Sequence, residues 1–487
     1  MTERNDRMTT RRVVLELLHE DELRQIEETA LRILDEVGIA LEHERAREML
    51  HGLGCRIEGH RAYIPPHVVQ WALQNVTPHR EEYTPDGKLA FRFGDGAIRF
   101  HNSGGPPFVI DLETGERRPA TMQDVGDITR LLDALEHVDV ITPLFGPQDV
   151  PAEIMELAAT AAMLKHTRKP VSAAAVENPA DVPYMVQMAQ VLCGGEEAFR
   201  RHPTMSISVS PVSPLTFTEK VTAAIMAVAE AGAPFHSLPA PSLGATGPIT
   251  LAGALAQQHA EVLASFVLVA AVRPGAPVAY CSRINPIDLR TAVSSWGGPE
   301  VGLAGACAVQ LAHRLGLTCD TYGLCTSADR VDAQFAYERF ANAVMPALAG
   351  ADIMSGVGGI ASGLAGGYEI AVIDNEMISL LKRLVQGCEV NQDTLAFDVI
   401  REVVRRDGVF LGEPHTVLHM RRGEIWMPGI SERRTGAGDE SAVGVLARAR
   451  ARAREILQTH VVEPWPAEAL RQLDEILTRA RRERLSE

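Results

Sequence analysis

Apolar and polar positions change rhythm three times along the 487-residue chain. From Asp21 to Val37, the residues Leu23, Ile26, Ala30, Ile33, Leu34 and Val37 recur at helical spacing, and Gly38 ends the run. Glu44–Leu53 predicts a second short helix, and the segment to Tyr63 reads as a hairpin. Pro65-Pro66 opens a third helix that Thr77-Pro78 ends. Residues 1–90 are therefore expected to form an N-terminal helical cap.

The pattern then becomes regular. Short β-prone runs fall at Ile98–His101, Val138–Thr142, Pro170–Ala175, Met205–Ser210, Pro234–Leu238, Pro277–Ser282, Leu317–Tyr322 and Asp352–Val357. A helical pattern follows each: Met122–Leu135, Ala152–Lys165, Val182–Leu192, Glu219–Ala231, Leu251–Val272, Pro299–Leu315, Ala333–Leu348 and Leu364–Val385. The strands are apolar on both faces, as when helices cover one side and a barrel interior the other. Eight consecutive βα units predict an α/β fold, a (β/α)8 TIM barrel spanning residues 91–390. An open doubly wound sheet is the alternative. Its glycine fingerprint is missing, since Phe-His-Asn-Ser-Gly-Gly-Pro-Pro follows the first strand. Beyond Val390 come a helix at Asp393–Val404, a polar segment at Pro414–Arg434, and helices near Glu440–Leu457 and Ala467–Arg482. Residues 391–487 are expected to be a C-terminal helical extension, packed on the barrel or on another subunit of a homo-oligomer.

Composition narrows the function classes. Hydrophobic residues make up 46% and charged residues 23%, the balance of a soluble enzyme. A net charge of −16 speaks against a nucleic-acid or anionic-membrane surface. The one basic run, Ala447–Arg454, reads as a solvated helix face. The seven cysteines lack a CxxC pair and fit reduced thiols. The polar start Met1–Arg7 has no apolar region behind it, and the most apolar stretch, Val262–Val272, is short for a membrane span. A cytoplasmic location is expected.

Chemistry in such barrels sits on the loops after the strands. The loop Thr318–Gln334 is the most polar, with Asp320, Asp329, Asp332, Cys319, Cys325 and Tyr322. Other strand ends supply Asn102, Ser103, Gln148, Ser210, Tyr280, Ser282, Arg283 and Asn285. The loops are rich in Gly, Ser and Pro, which suits a wide mouth and a large flat partner as well as tight turns. The glycines at 356–359 and 363–367 lack the Lys-Ser or Lys-Thr of a phosphate loop and read as turn or packing glycines. His415 and His419 share a helix face at i, i+4, but no HExxH occurs, and a structural role is expected with no metal.

Several stretches stand out together: Val109-Ile-Asp-Leu-Glu-Thr-Gly-Glu-Arg-Arg-Pro-Ala-Thr121, Ser210-Pro-Val-Ser-Pro-Leu215 and Leu243-Gly-Ala-Thr-Gly-Pro-Ile-Thr-Leu-Ala-Gly-Ala254. Others are Arg273–Pro277, Asp288–Thr291, Asp332–Gln334 with Tyr337 and Glu338, and Phe410–Thr416 with His419 and Trp426. In this order they resemble one family, the trimethylamine methyltransferases that serve corrinoid proteins, and the resemblance covers almost the whole chain. It implies a barrel enzyme that moves a methyl group from an amine to the cobalt of a separate corrinoid protein, which supplies the cobalamin. Members that use trimethylamine carry pyrrolysine after the seventh strand, near Asp329 here, and this chain resembles the larger group without it. Thr326-Ser-Ala-Asp329 also departs from the Thr-Asp-Ser-Lys expected there.

For such members a quaternary amine such as glycine betaine is the expected substrate. Its demethylation releases a neutral tertiary amine, so no acid is needed. The protein then has to position the substrate, balance its charge and leave room for the corrin. No Asp-x-His-x-x-Gly cobalamin motif occurs, in keeping with a cofactor held by the partner. Asp329 and Asp320 are the expected catalytic carboxylates; Tyr322 and Tyr280 would line the methyl groups, and Arg283 would take a betaine carboxylate, with Ser210 and Asn102 as further contacts. Trimethylamine as substrate, a binding protein that senses methylated amines, and a metal-dependent lyase or hydrolase are the alternatives.

Overall fold

The computed structural model describes residues 15–173, 175–433 and 444–485. Seven strands, Arg99–Asn102, Val171–Ala173, Met205–Val209, Phe235–Ser237, Ala276–Ser282, Thr318–Tyr322 and Ile353–Val357, form one parallel sheet. The last pairs back onto the first. Between Arg99–Asn102 and Val171–Ala173 the ring closes through residues 140–141, where Val140 bridges His101 and Ile141 bridges Val171. The eight predicted strands are therefore a closed parallel barrel, with the second reduced to single bridges. The Asn102 side chain replaces the thin ladder there. Its oxygen accepts from Thr142 N at 2.9 Å, and its amide donates to Thr142 O at 2.8 Å.

The helices fall where the 3.6-residue period put them, Glu219–Ala231 and Leu251–Val272 to the residue. Thr218 caps the first through Val221 N–H, and Gly232, at φ +74°, ends it in the left-handed region. Leu251–Val272 is the one helix among the described residues long and apolar enough to cross a membrane, and it is buried in the protein.

The N-terminal segment holds more strand than the helical cap expected there. Its helices alternate with strands, and the expected hairpin is Arg56–Glu58 with Arg61–Tyr63. Ile39–Leu41 pairs with Thr216–Phe217, and Val76–Pro78 runs parallel to the start of the sixth barrel strand. A second hairpin, Glu81–Tyr83 with Leu89–Arg92, follows directly. Three-residue strands carry too little alternation to stand out from a helical period.

After the barrel, the helix expected at Asp393–Val404 splits into Gln392–Leu395 and Phe397–Arg405 around Ala396, at φ +51°. The polar segment contains a helix, Pro414–Arg421. The helix expected near 440–457 is Val445–Thr459; its expected first positions lie outside the described residues. It packs on Tyr368–Gln386, whereas Ala467–Leu485 packs on Val182–Cys193. The arm that follows Gln386 exposes apolar side chains, Phe397, Val404, Val409, Leu411 and Met427 among them.

Candidate active site

Most TIM-barrel interiors are filled by branched apolar chains. Here the inward positions carry Thr142, Ser172, Ser206, Ser208 and Ser355, and a cavity of about 610 Å³, its open part included, remains. Seven of the eight barrel positions line it with strand or bridge residues, the sixth through Arg283 just past its end, and the loop residues Ser103 and Gly104 reach it too. On the N-terminal side the hairpin residue Glu82 lines it.

The charged centre is one ion pair. Arg283, one residue past the sixth strand, donates from Nη2 to both oxygens of Asp320 at 2.9 Å. Its Nη1 donates to the carbonyls of Ser282 at 2.9 Å and Asp320 at 3.2 Å. The guanidinium lies over the Tyr322 ring, 4.5 Å from its centre, and Trp296 meets that ring edge-on at 4.8 Å. Burial alone would raise the Asp320 carboxyl, but Arg283 and His101 bring it below its ordinary value. His101 Nε2 is 3.4 Å from Asp320, while its Nδ1 donates to Asn102 O at 2.9 Å. The Cys281 thiol donates to Asp320 at 3.7 Å and is pushed well up by burial and then by that carboxylate.

A buried histidine pair completes the wall. His79 Nε2 faces the Glu81 carbonyl at 3.1 Å, and a carbonyl can only accept. His79 Nδ1 is then an acceptor, so the 3.0 Å contact to His236 is donated by His236 Nε2. This leaves His236 Nδ1 as a lone pair. Both rings are neutral, with burial pushing His79 down to about 3 and His236 to about 4. His236, Cys281 and Asp320 offer ligand atoms within 4.8 Å of one another, but Arg283 already occupies both Asp320 oxygens.

Sequence reasoning brought Asp320, Tyr322, Arg283 and Asn102 to this cavity. It did not bring the other three. Tyr280 faces away, fully buried, with its hydroxyl 3.1 Å from His259 on helix Leu251–Val272. Ser210 donates to the Leu238 carbonyl at 2.7 Å. Asp329 is 78% exposed and, among the described residues, meets its neighbour Arg330 at 3.4 Å. Sequence reasoning missed Glu82, His79, His101 and His236. The available signal was a polar residue inside an apolar strand, as in Phe235-His-Ser237.

The trimethylamine methyltransferase family model matches residues 2–484. The chain belongs to that family. It is 31% identical over 452 residues to a trimethylamine methyltransferase of Desulfitobacterium hafniense, covering 92% of this chain and 90% of the relative. A glycine betaine methyltransferase from another strain of that species is also 31% identical, over 450 residues, covering 91% and 93%. A trimethylamine methyltransferase of Methanosarcina mazei is 30% identical over 497 residues, covering 96% of each chain.

The stretches that resemble this methyltransferase family are chiefly clasps. In Val109–Thr121, Arg118 bridges Asp111 at 2.9 Å and Asp124 at 2.7 Å, and Tyr368 donates to Asp124 at 3.0 Å. In Ser210–Leu215, the Ser213 hydroxyl and Leu215 N–H both donate to the buried Glu261. Glu338 accepts from Thr326, Ser327 and Gln334 and so pins the loop after the seventh strand. Arg339 donates to the carbonyls of Gly356 and Gly359 and pairs with Asp374, whose other donor is Gly358 N–H. The glycine-rich loop after the eighth strand is thus locked by protein groups. His415 and His419 stack at 4.2 Å beside Asp393, within the exposed C-terminal arm.

Proposed function

We propose that this chain moves a methyl group from a quaternary ammonium compound of the glycine betaine kind to a corrinoid held by a separate protein. The observation that carries the reading is what the cavity offers: a charge-balanced Arg283–Asp320 pair, an aromatic face at Tyr322 and a ring of hydroxyls. Among the described residues its wall presents no activated nucleophile, since the Cys281 thiol is held protonated and both buried histidines are neutral. A site of this kind binds and orients a substrate while another molecule attacks it. The corrinoid supplies the Co(I) nucleophile and accepts the methyl group.

In this reading Tyr322 and Asp320 flank the ammonium group. Four of the five Arg283 N–H groups are spent within the protein, which leaves Nε–H and the hydroxyls of Ser206 and Ser355 for a carboxylate. Trimethylamine, named for one of the 31% relatives, is the second reading. Incubation with a reduced corrinoid protein and each amine, followed by methylcobalt absorbance, tests both. Glycine betaine should give the signal, and no signal with any quaternary or tertiary amine rejects the proposal.

We also propose a cytoplasmic homo-oligomer. All seven cysteines are free thiols, and the apolar arm around Phe397 and Leu411 is a face for a second copy. Light scattering on the wild type and on a Phe397→Asp, Leu411→Asp double variant tests it, with a smaller particle expected for the variant.

A further inference from the structure

One buried group at this site has no partner. Glu82 is 1% exposed, lines the cavity, and its Oε1 has no hydrogen-bond partner among the described residues. The His79 Nε2 atom lies 3.8 Å from it, beyond hydrogen-bond reach. No ion pair forms there at neutral pH, because that nitrogen's proton goes to the Glu81 carbonyl and the ring is neutral. The other titratable groups on the wall are His236 on the fifth strand, His101 on the first, Asp320 and Tyr322 on the seventh, and Arg283 just past the sixth. Asp320 and Arg283 cancel each other, and His236 is neutral. Burial pushes the Glu82 carboxyl up to about 8, so it is neutral in the free protein at pH 7.

The cavity therefore has no spare negative charge for an ammonium group, and Glu82 is the carboxyl able to supply one. A leucine or valine there would fill the barrel floor at no electrostatic cost, so a lone carboxyl marks a functional position. We propose that Glu82 is the titratable counter-charge of the substrate's ammonium group, neutral in the free protein and ionised in the complex. The inference rests on the ammonium substrate proposed above. On binding, the Glu82 O–H bond breaks, its proton leaves to solvent, and the carboxylate stays beside the cation. A quaternary nitrogen carries groups on four sides, so one methyl can face Glu82 while another faces the mouth. Loss of a methyl removes the positive charge, and the carboxylate then regains a proton from solvent. The charge that favours substrate is thus gone from the product complex, which assists release.

Calorimetric titration with tetramethylammonium and with glycine betaine, in buffers of different ionisation enthalpy at pH 7, counts the protons. The wild type should release close to one proton per ligand, and Glu82→Gln should release none. The wild-type dissociation constant should fall about tenfold per pH unit between pH 6 and 7 and level off above about 8. A wild-type infrared measurement needs no variant: the protonated-carboxyl stretch should disappear when tetramethylammonium is added. Binding without proton release, equal release by both proteins, or an unchanged stretch overturns the role of Glu82 and leaves the methyl-transfer reading intact. Failure of every ammonium probe to bind overturns both.

Discussion

The sixth barrel strand separates two kinds of wall. On its inner side Cys281 and Arg283 meet Asp320 of the neighbouring seventh strand, with charge, thiol and aromatic ring in contact. On its outer side Tyr280 meets His259 and Ser282 donates to Gln258, both on the long buried helix Leu251–Val272. The two walls use similar residue types. What differs is access: the outer groups are shut between strand and helix, where even Gln258 Nε2 and His259 Nε2 stay unpaired among the described residues, whereas the unpaired inner atoms, Glu82 Oε1, Ser206 Oγ and Ser355 Oγ, belong to residues that line the cavity. Polar residues on the outside fasten a helix to the barrel, and those inside are left to bind something else.

The contrast can be broken most strongly at the ion pair. Asp320→Ala leaves the Arg283 guanidinium buried and alone, and urea unfolding should show a loss of about 3–5 kcal/mol. Replacing both partners by apolar residues should cost less stability while still abolishing methyl transfer, which separates folding from function.

Next in size is Glu82. Its carboxyl titrates at about 8 in the folded protein against about 4.3 in an unfolded chain. Between those values the folded state holds the extra proton, so stability falls as pH rises, by at most about 1.4 kcal/mol per pH unit from this group. Glu82→Gln should flatten that slope, unfolding later than the wild type at pH 8 and close to it at pH 4. The gain would come with weaker ammonium binding, the usual opposition of stability and function at a binding site.

The outer wall should respond more gently. Tyr280→Phe removes the contact with His259, costs about 1 kcal/mol in urea unfolding and leaves methyl transfer unchanged. The smallest effect is expected at Asp329→Ala, within about 0.5 kcal/mol and with full activity, because that carboxylate is out in solvent.

These residues also show what the sequence could convey. Barrel strands and helices were legible because eight repeats of one period reinforce each other, and even the second strand, thinned to bridges at Val140 and Ile141, was read from its own β-prone run Val138–Thr142. Side chains were legible where strand parity was respected. Asp320 and Tyr322 are two apart and both line the cavity. Tyr280 and Arg283 are three apart, and a strand sends such a pair to opposite faces. Glu82 was beyond reach, since nothing in Glu81-Glu-Tyr83 tells which of two adjacent carboxylates a closed barrel will cover. Ser210 and the other residues of the resembling stretches mostly hold loops together, so resemblance pointed to the fold and the family more directly than to the cavity wall.

The hairpin under the barrel has a consequence for how the chain comes to be folded. Glu82 and His79 leave the ribosome before any barrel strand exists. His79 waits for His236, 157 residues later, and its carbonyl for the Thr318 hydroxyl, 239 residues later. Until then Glu82 is in water as an ordinary ionised carboxylate. Closing the barrel at neutral pH must therefore draw a proton from solvent onto that side chain. Folding is thereby also an acid–base reaction, and refolding at pH 7 should take up close to one proton at this side chain.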